Sequence, residues 1–369
     1  MRARAPAIAL LAALCAALPA PTAASTVSAG AGAAHVWTDN VFGTEPSPSD
    51  GITDGRGWLA WRPAARWRLA ASGRLLRFDD NQDLNHGYVM LAAEATPGPA
   101  TGALRWQVGA AGTWRLNGDL YEPFNYRDAG AYVSARRQLS PEMSAQARVD
   151  GALRDYPGQP NEDSRKAWLS LRLQRSLPTR TSLTLSGRTG WKQYVEGAQA
   201  DAAVREFHLQ AAQSVSGRVA LRAWGATSHL FEHGDAAEQM AAFDNPLLDE
   251  FSFDGRRLGG AVKVILPWNL VADLSGERAW LDYPGRPPAL YDPAMNRFVV
   301  DGKKLVLDDG QRQDATTRAR LSLERRGARF GDGSRLDVTA SAEWSEQQSN
   351  DLYWQWRGWS FQAGASIEF

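Results

Sequence analysis

The chain has 369 residues, 41 basic and 41 acidic side chains, a formal net charge of zero and one cysteine. Balanced charge gives no ground for expecting nucleic acid or an acidic partner, and a single cysteine excludes a disulfide framework or a Cys-based metal site. The mean hydropathy is −0.40 and no apolar run of about 18 residues follows the first two dozen, which excludes a helical membrane protein. It does not exclude a barrel, whose wall alternates apolar and polar residues and averages to a soluble-looking value.

Residues 1–24 read as an export signal. Arg2 and Arg4 form a short positive region, Ile8 to Leu18 an apolar run too short to cross a bilayer, and Thr22-Ala23-Ala24 supplies small residues for cleavage before Ser25. Cys15 lies inside the apolar run behind Leu14, where lipidation needs a small residue, so a mature chain from 25 to 369 is expected to carry no thiol.

From Thr26 onward the pattern has period two. Leu104, Trp106, Val108, Ala110, Gly112 and Trp114 alternate with Arg105, Gln107, Thr113 and Arg115; Ala167, Leu169, Leu171 and Leu173 alternate with Trp168, Ser170, Arg172 and Gln174; Leu336, Val338, Ala340, Ala342 and Trp344 alternate with Asp337, Thr339, Ser341 and Glu343. Such segments bury or face lipid with one side and water with the other. About sixteen of them, give or take two, run to roughly ten residues each, the length that crosses a bilayer at a barrel's tilt.

Their connections alternate in length. Arg62-Pro63-Ala64-Ala65, Pro97-Gly98-Pro99, Ser140-Pro141-Glu142, Leu177-Pro178-Thr179, Ser216-Gly217 and Pro267-Trp268-Asn269 are brief turns, and longer polar stretches fall around 43–55, 79–86, 117–127, 155–165, 195–203, 232–256, 282–316 and 346–353. Short turns in the periplasm and long loops outside describe a transmembrane antiparallel up-and-down β-barrel. A propeller lacks its blade-length repeat here, and a sandwich does not impose the switch between short and long connections. Unpaired backbone is so costly in lipid that a spanning sheet closes on itself, and an even strand number leaves both ends on the periplasmic side. Within the longest stretch, Phe298-Val299-Val300 and Leu305-Val306-Leu307 flank Asp301-Gly302, which predicts a small hairpin acting as a plug or an external flap.

The final segment, Trp359-Ser360-Phe361-Gln362-Ala363-Gly364-Ala365-Ser366-Ile367-Glu368-Phe369, alternates strictly and ends on an aromatic ring. In this it resembles the C-terminal strand of Gram-negative outer-membrane proteins, whose terminal aromatic is read by the barrel-assembly machinery, and the resemblance gives Phe369 that role. Trp37-Thr38-Asp39-Asn40-Val41-Phe42 is similar to the Asp-Asn-Val/Ile-Phe element of several outer-membrane barrel families, some encoded with exopolysaccharide export systems. The same residues also read as a strand end followed by an Asx-type turn. The resemblance implies an outer-membrane location, contact with outer-membrane lipid and lipopolysaccharide, and a periplasmic polysaccharide-export partner.

Two groups of residues are candidates for function. The alternation assigns Arg68, Arg74, Arg105, Arg115, Arg136, Arg148, Arg154, Arg172, Arg188, Lys192, Arg222, Lys263, Arg318 and Arg320 to the interior, against Glu94, Asp150, Asp273, Glu277, Glu324, Asp337 and Glu343. A basic pore favours anionic solutes, although the same cations serve equally to pair with carboxylates and hydrate the wall. The chain has 15 Trp, 9 Tyr and 12 Phe. Trp58, Trp61, Trp67, Trp191, Trp268, Trp280, Trp354, Trp356 and Trp359 near strand ends fit interfacial girdles, whereas Trp168 and Trp224 have polar-face parity and are the candidates for stacking on sugar rings.

Acids gather in the expected outer loops: Glu45, Asp50 and Asp54, then Asp79, Asp80 and Asp83, then Glu232 to Asp254. A zero net charge therefore hides two opposed fields. Asp79-Asp80-Asn81-Gln82-Asp83 alternates oxygen ligands, but the sixth and twelfth positions of an EF-hand loop are here Leu84 and Met90, so no calcium loop follows, and no other metal site or cofactor is expected. Among His35, His86, His208, His229 and His233 no nucleophile signature stands beside a histidine, and no enzyme is expected. The reading is a channel for passive passage of a hydrophilic, anionic solute or polymer, with polysaccharide export preferred over general diffusion. The alternatives are a non-conducting surface barrel whose acidic loops bind a partner, and a barrel enzyme with a polar cluster at the rim containing His229 or His86.

Overall fold

The computed structural model describes residues 25–40, 49–98, 103–195, 201–233, 253–284, 287–292, 297–301, 304–308, 310–330 and 334–369. The export signal expected over 1–24, Val41 and Phe42, and most of the loop expected over 232–256 lie outside them.

The wall begins with β1 (Thr26–Thr38), β2 (Asp50–Ala64), β3 (Trp67–Phe78), β4 (His86–Ala95), β5 (Leu104–Asn117), β6 (Tyr126–Ser140) and β7 (Met143–Asp155). It continues through β8 (Ser164–Leu177), β9 (Thr181–Tyr194), β10 (Asp201–Ser214), β11 (Val219–His233), β12 (Phe253–Ile265) and β13 (Leu270–Tyr283). Four two-residue strands follow in one loop, β14 (Tyr291–Asp292), β15 (Arg297–Phe298), β16 (Val300–Asp301) and β17 (Lys304–Leu305), and the wall ends with β18 (Arg312–Arg329), β19 (Arg335–Ser349) and β20 (Trp356–Glu368). Each wall strand pairs antiparallel with the next, and β20 returns to β1 from Gly30 opposite Glu368 to Thr38 opposite Ser360, closing a barrel of sixteen strands. Phe369 continues the seam, its N–H donating to the Ala29 carbonyl at 2.8 Å.

Strands run from 10 residues in β4 to 18 in β18, longer than the ten or so expected from bilayer thickness. The extension lies at the loop ends. Asp50–Asp54, expected in a loop, begins β2, because beyond the hydrocarbon the backbone ladder continues in water without needing an apolar face. Likewise β18 starts at Arg312 and β19 runs to Ser349, shortening the expected stretches 282–316 and 346–353.

Turn chemistry fixes the short end. Pro63, which has no N–H to give, coincides with a bulge between Trp61 and Ala64, and a second bulge follows Gln138. Arg180 (φ 62°), Trp268 (φ 61°) and Asn269 (φ 58°) take left-handed conformations in the turns after β8 and β12.

Cross-strand partners share a face, so register sorts the wall into two sides. Leu59, Leu75, Val89, Leu91, Val133, Val149, Leu169, Leu171, Leu185, Phe207, Leu258 and Leu274 all lie on one face and are all exposed, as an apolar belt toward lipid requires. The large rings on the inner face, among them Trp58, Trp168 and Trp224, lie across glycines of the neighbouring strand. Among the described residues most buried apolar side chains are alanines, and Val204 with Trp168 and Phe253 forms a small hydrophobic cluster on the inner face.

The hairpin expected around Asp301-Gly302 is present, with Val300 opposite Leu305 and Asp301 opposite Lys304, and a second pairing joins Tyr291 to Phe298. The two are laced by Val299 N–H to Leu290 O and Val306 N–H to Val299 O, both 2.9 Å. Their anchor is at the long-loop end, where Ala289 N–H donates to Asp351 Oδ2 at 3.1 Å.

Candidate functional site

The inner face carries every wall cation named from the alternation. Arg56, Arg74, Tyr88, Arg115 and Tyr126 stand opposite one another across β2 to β6, so guanidiniums and phenols share one row. Arg115 lies over the Tyr88 ring at 5.5 Å and Arg154 over Tyr126 at 4.4 Å. A second row runs Arg105, Arg136, Gln146, Arg172, Ser186 and His208 across β5 to β10.

Five of these cations are held by carboxylates. Arg74 is bidentate to Asp54 (2.9 and 3.0 Å), Arg154 binds Asp128 (3.0 Å), Arg188 binds Glu206 (2.9 Å), Arg148 binds Asp150 (2.5 Å), and Arg320 approaches Glu343 (3.8 Å). Asp54, Asp128 and Glu206 were absent from the acids assigned to the interior. The polar surroundings of Asp54 predict a loop, yet the strand extension turns it inward. Asp50, expected in the same loop, is 2 % exposed and accepts the backbone N–H groups of Asp79, Asp80 and Asn81 at 3.0 Å. Those loop acids therefore include one that organises the neighbouring loop.

The row Arg105, Arg136 and Arg172 has no carboxylate partner among the described residues; Arg136 bonds only Ser144 Oγ at 3.2 Å. Arg68, Arg115, Arg222, Lys263 and Arg318 also lack an ion pair there, and Arg115 donates to Asn117 Oδ1 at 2.9 Å. Beside this row the wall has a recess of about 440 Å³ lined by Gln146, Arg148, Arg172, Arg188, Glu206 and His208. Of its guanidiniums Arg148 and Arg188 are paired with Asp150 and Glu206, and Arg172, exposed and without an ion pair, leaves it a net positive charge.

The two candidate stacking rings are built alike. Trp168 lies across Gly190 and Trp224 across Gly259, each the residue directly opposite; a Cβ on either glycine would stand 2.4 or 2.3 Å from the indole. Arg188 lies 4.3 Å from the Trp168 ring and Arg222 4.9 Å from the Trp224 ring, so both rings already carry a guanidinium. Two more inner rings repeat the device. Tyr132 lies across Gly109 beneath Arg148 (3.7 Å) and donates to Glu94 Oε2 at 2.7 Å. Trp58, expected in an interfacial girdle, instead faces inward across Gly30. Trp356 shares the inner face with Gln347, and Trp354 sits in the adjacent turn against Arg312 at 4.2 Å, so neither joins a girdle. Only register reveals which glycine stands opposite which ring.

The histidines His86, His208 and His229 stand on separate strands. His86 Nδ1 donates to Leu84 O (2.7 Å) between Phe78 and Tyr88, His208 faces inward, and His229 contacts Asp254 on the outer face. Among the described residues no group of three or more His, Cys, Asp or Glu side chains is placed to hold a metal ion.

A closed, sixteen-stranded antiparallel barrel with an apolar outer belt, a polar interior, short turns at one end and long loops at the other has the fold of the outer-membrane β-barrels. Among solved structures, the chain is similar to one described as a bacterial polysaccharide outer membrane secretin, with TM-score 0.53, 11 % identity, and 92 % of this chain and 97 % of that chain covered. It is similar to Pseudomonas aeruginosa OprD, with TM-score 0.50, 12 % identity and coverage of 96 % and 97 %. The outer membrane protein opdK of Pseudomonas aeruginosa matches with TM-score 0.50, 8 % identity and coverage of 93 % and 99 %. No protein-family model matches the sequence, and neither does any curated protein.

Proposed function

We propose that this barrel is an outer-membrane channel for passive passage of a hydrophilic, anionic solute or polymer, with polysaccharide export preferred over general diffusion. The observation that carries it is the inner row Arg105, Arg136 and Arg172, three guanidiniums on β5, β6 and β8 with Gln146 of β7 between the last two and no carboxylate paired with them among the described residues. Loose, repeated contacts of this kind let an anion enter without trapping it. The strand number supports conduction rather than anchoring, because side chains on a closed wall of sixteen strands no longer meet across it. The polysaccharide preference draws on the Asp39-Asn40 element and on one similar fold being described as a polysaccharide secretin. Export by the signal at 1–24, assembly through Phe369 and a periplasmic export partner belong to the same reading.

Reversal potential across a planar bilayer in a salt gradient tests it. Anion preference is expected; cation preference, or no conductance at all, overturns the reading and favours a surface barrel that only binds.

A further inference from the structure

One patch on the outer wall departs from the apolar belt. Phe207, Thr227, Arg256 and Trp280 stand opposite one another across β10 to β13, with Leu209, Gly225, Leu258 and Arg278 in the next outer row and Arg205, His229, Asp254 and Asp282 in the row toward the long loops. A guanidinium on the lipid side of a barrel is expensive unless it meets an anion, the less so the nearer it lies to the interface. Trp280, with Arg278 at 5.4 Å from its ring, marks that interface.

Beside Arg256 the wall is hollow. Along β11 the outer residues Thr227, Gly225 and Ala223 are small, while Phe207 and Leu209 on one side and Leu258 on the other protrude with 62, 57 and 61 % exposure. The result is a trough of about 730 Å³ whose largely apolar lining meets Arg256 and Asp282 at its loop end, with Arg278 next to Leu258 at its edge. The carboxylates there do not claim Arg256 or Arg278: Asp254 contacts His229 Nδ1, Asp282 has no ion pair among the described residues, and Arg205 is engaged with its own neighbours.

We propose that this trough binds one phosphorylated glycolipid of the leaflet facing the medium, an acyl chain lying along Thr227, Gly225 and Ala223 and a phosphate held by Arg256 and Arg278. A phosphate monoester carries about −1.5 to −2 charges and suits two guanidiniums better than the single charge of a glycerophospholipid diester. Arg256 marks the trough's long-loop end, and long loops are the side on which a barrel of this class meets the glycolipid leaflet. The proposal goes beyond the channel reading and does not depend on conduction.

The test uses the full barrel, folded in detergent and verified by its heat-modifiable gel mobility, with bisphosphorylated lipid A as probe and native mass spectrometry as readout. Arg256→Ala with Arg278→Ala is expected to weaken binding at least about tenfold, since each cation near a charged membrane surface contributes about 1 kcal/mol. Gly225→Leu fills the trough floor, where a Cβ already comes 3.1 Å from Leu258, and is expected to weaken binding comparably with the charges intact. Arg357→Ala, an outer-face arginine on β20, is the control that leaves binding unchanged. Equal binding by all variants overturns the site. Phosphatidylglycerol bound as tightly as lipid A overturns the glycolipid assignment.

Discussion

Trp224 on β11 lies across Gly259, its direct partner on β12, and its indole N–H donates to Glu277 Oε2 on β13 at 2.7 Å. One side chain thus ties three strands together on the inner face, and it can do so only because the residue beneath it has no Cβ. The same arrangement links Glu94, Gly109 and Tyr132 on β4 to β6. Rings laid along the wall leave the lumen open, whereas rings standing upright would narrow it.

Gly259→Ala therefore has a defined consequence. Its methyl would stand 2.3 Å from the indole, so the ring must lift and give up Glu277. Overpacking of this kind costs about 1–3 kcal/mol. Urea unfolding of the detergent-folded barrel should show that loss together with reduced single-channel conductance. Gly73→Ala, whose Cβ would meet nothing closer than 3.7 Å, should change neither. Equal behaviour of the two variants would show that the ring does not rest on Gly259.

Charge selectivity should follow the unpaired row. Replacing Arg105, Arg136 and Arg172 together by Glu puts three negative charges where the wall has no carboxylate, and the anion preference is expected to reverse. Lysine at all three positions keeps the charge and should keep the preference. If the glutamate triple retains anion selectivity, the field arises elsewhere, and the Arg56, Arg74 and Arg115 row becomes the next candidate.

The barrel was legible because lipid imposes a period of two on every strand, and the sequence repeats it from Leu104 through Ala342. The parity of Arg105 or Trp168 needs nothing more than that alternation. What escaped was everything set by register and by the strand ends. Asp54 reads as a loop acid until the ladder of β2 is extended past the hydrocarbon, and only then does it meet Arg74. Trp58 reads as a girdle residue until its partner is known to be Gly30. Asp128 and Glu206 neutralise arginines from adjacent strands, a relation between residues 26 and 18 positions apart that no local pattern encodes. Arg256 and Arg278 stand on the outer face against the alternation, so parity alone does not place them.

A buried latch holds the long-loop end. Arg312 donates through Nε to Asp314 Oδ1 at 3.0 Å between the rings of Tyr283 (4.4 Å) and Trp354 (4.2 Å), and the two side chains are 7 and 0 % exposed. Asp314 also accepts from Ser349 Oγ at 2.7 Å and Gln347 Nε2 at 3.1 Å. Arg312→Ala strands a buried carboxylate, at a cost of about 3–5 kcal/mol. Faster trypsin cleavage between 284 and 311 should accompany it, since Asp351 beside Trp354 anchors that loop through Ala289. Removing Asp314 as well should restore most of the stability. A double variant as unstable as the single one would mean that the rings, not the ion pair, hold the latch.

The turn after β12 offers the opposite sign. Trp268 (φ 61°, ψ 27°) and Asn269 (φ 58°) are both left-handed, the conformation of a type I′ hairpin turn, which Asn and Gly adopt readily and a bulky residue does not. Left-handed backbone costs a residue with a large side chain about 1–2 kcal/mol. The indole offsets none of this inside the protein, because Trp268 is 83 % exposed at the short-turn end. Trp268→Asn should therefore raise the unfolding free energy by about 1 kcal/mol in detergent, where no bilayer interface rewards the ring. In lipid vesicles the gain should shrink as the lost ring no longer anchors the turn at the headgroups. A variant that is destabilised in detergent would show that the ring contributes contacts larger than the backbone strain it imposes.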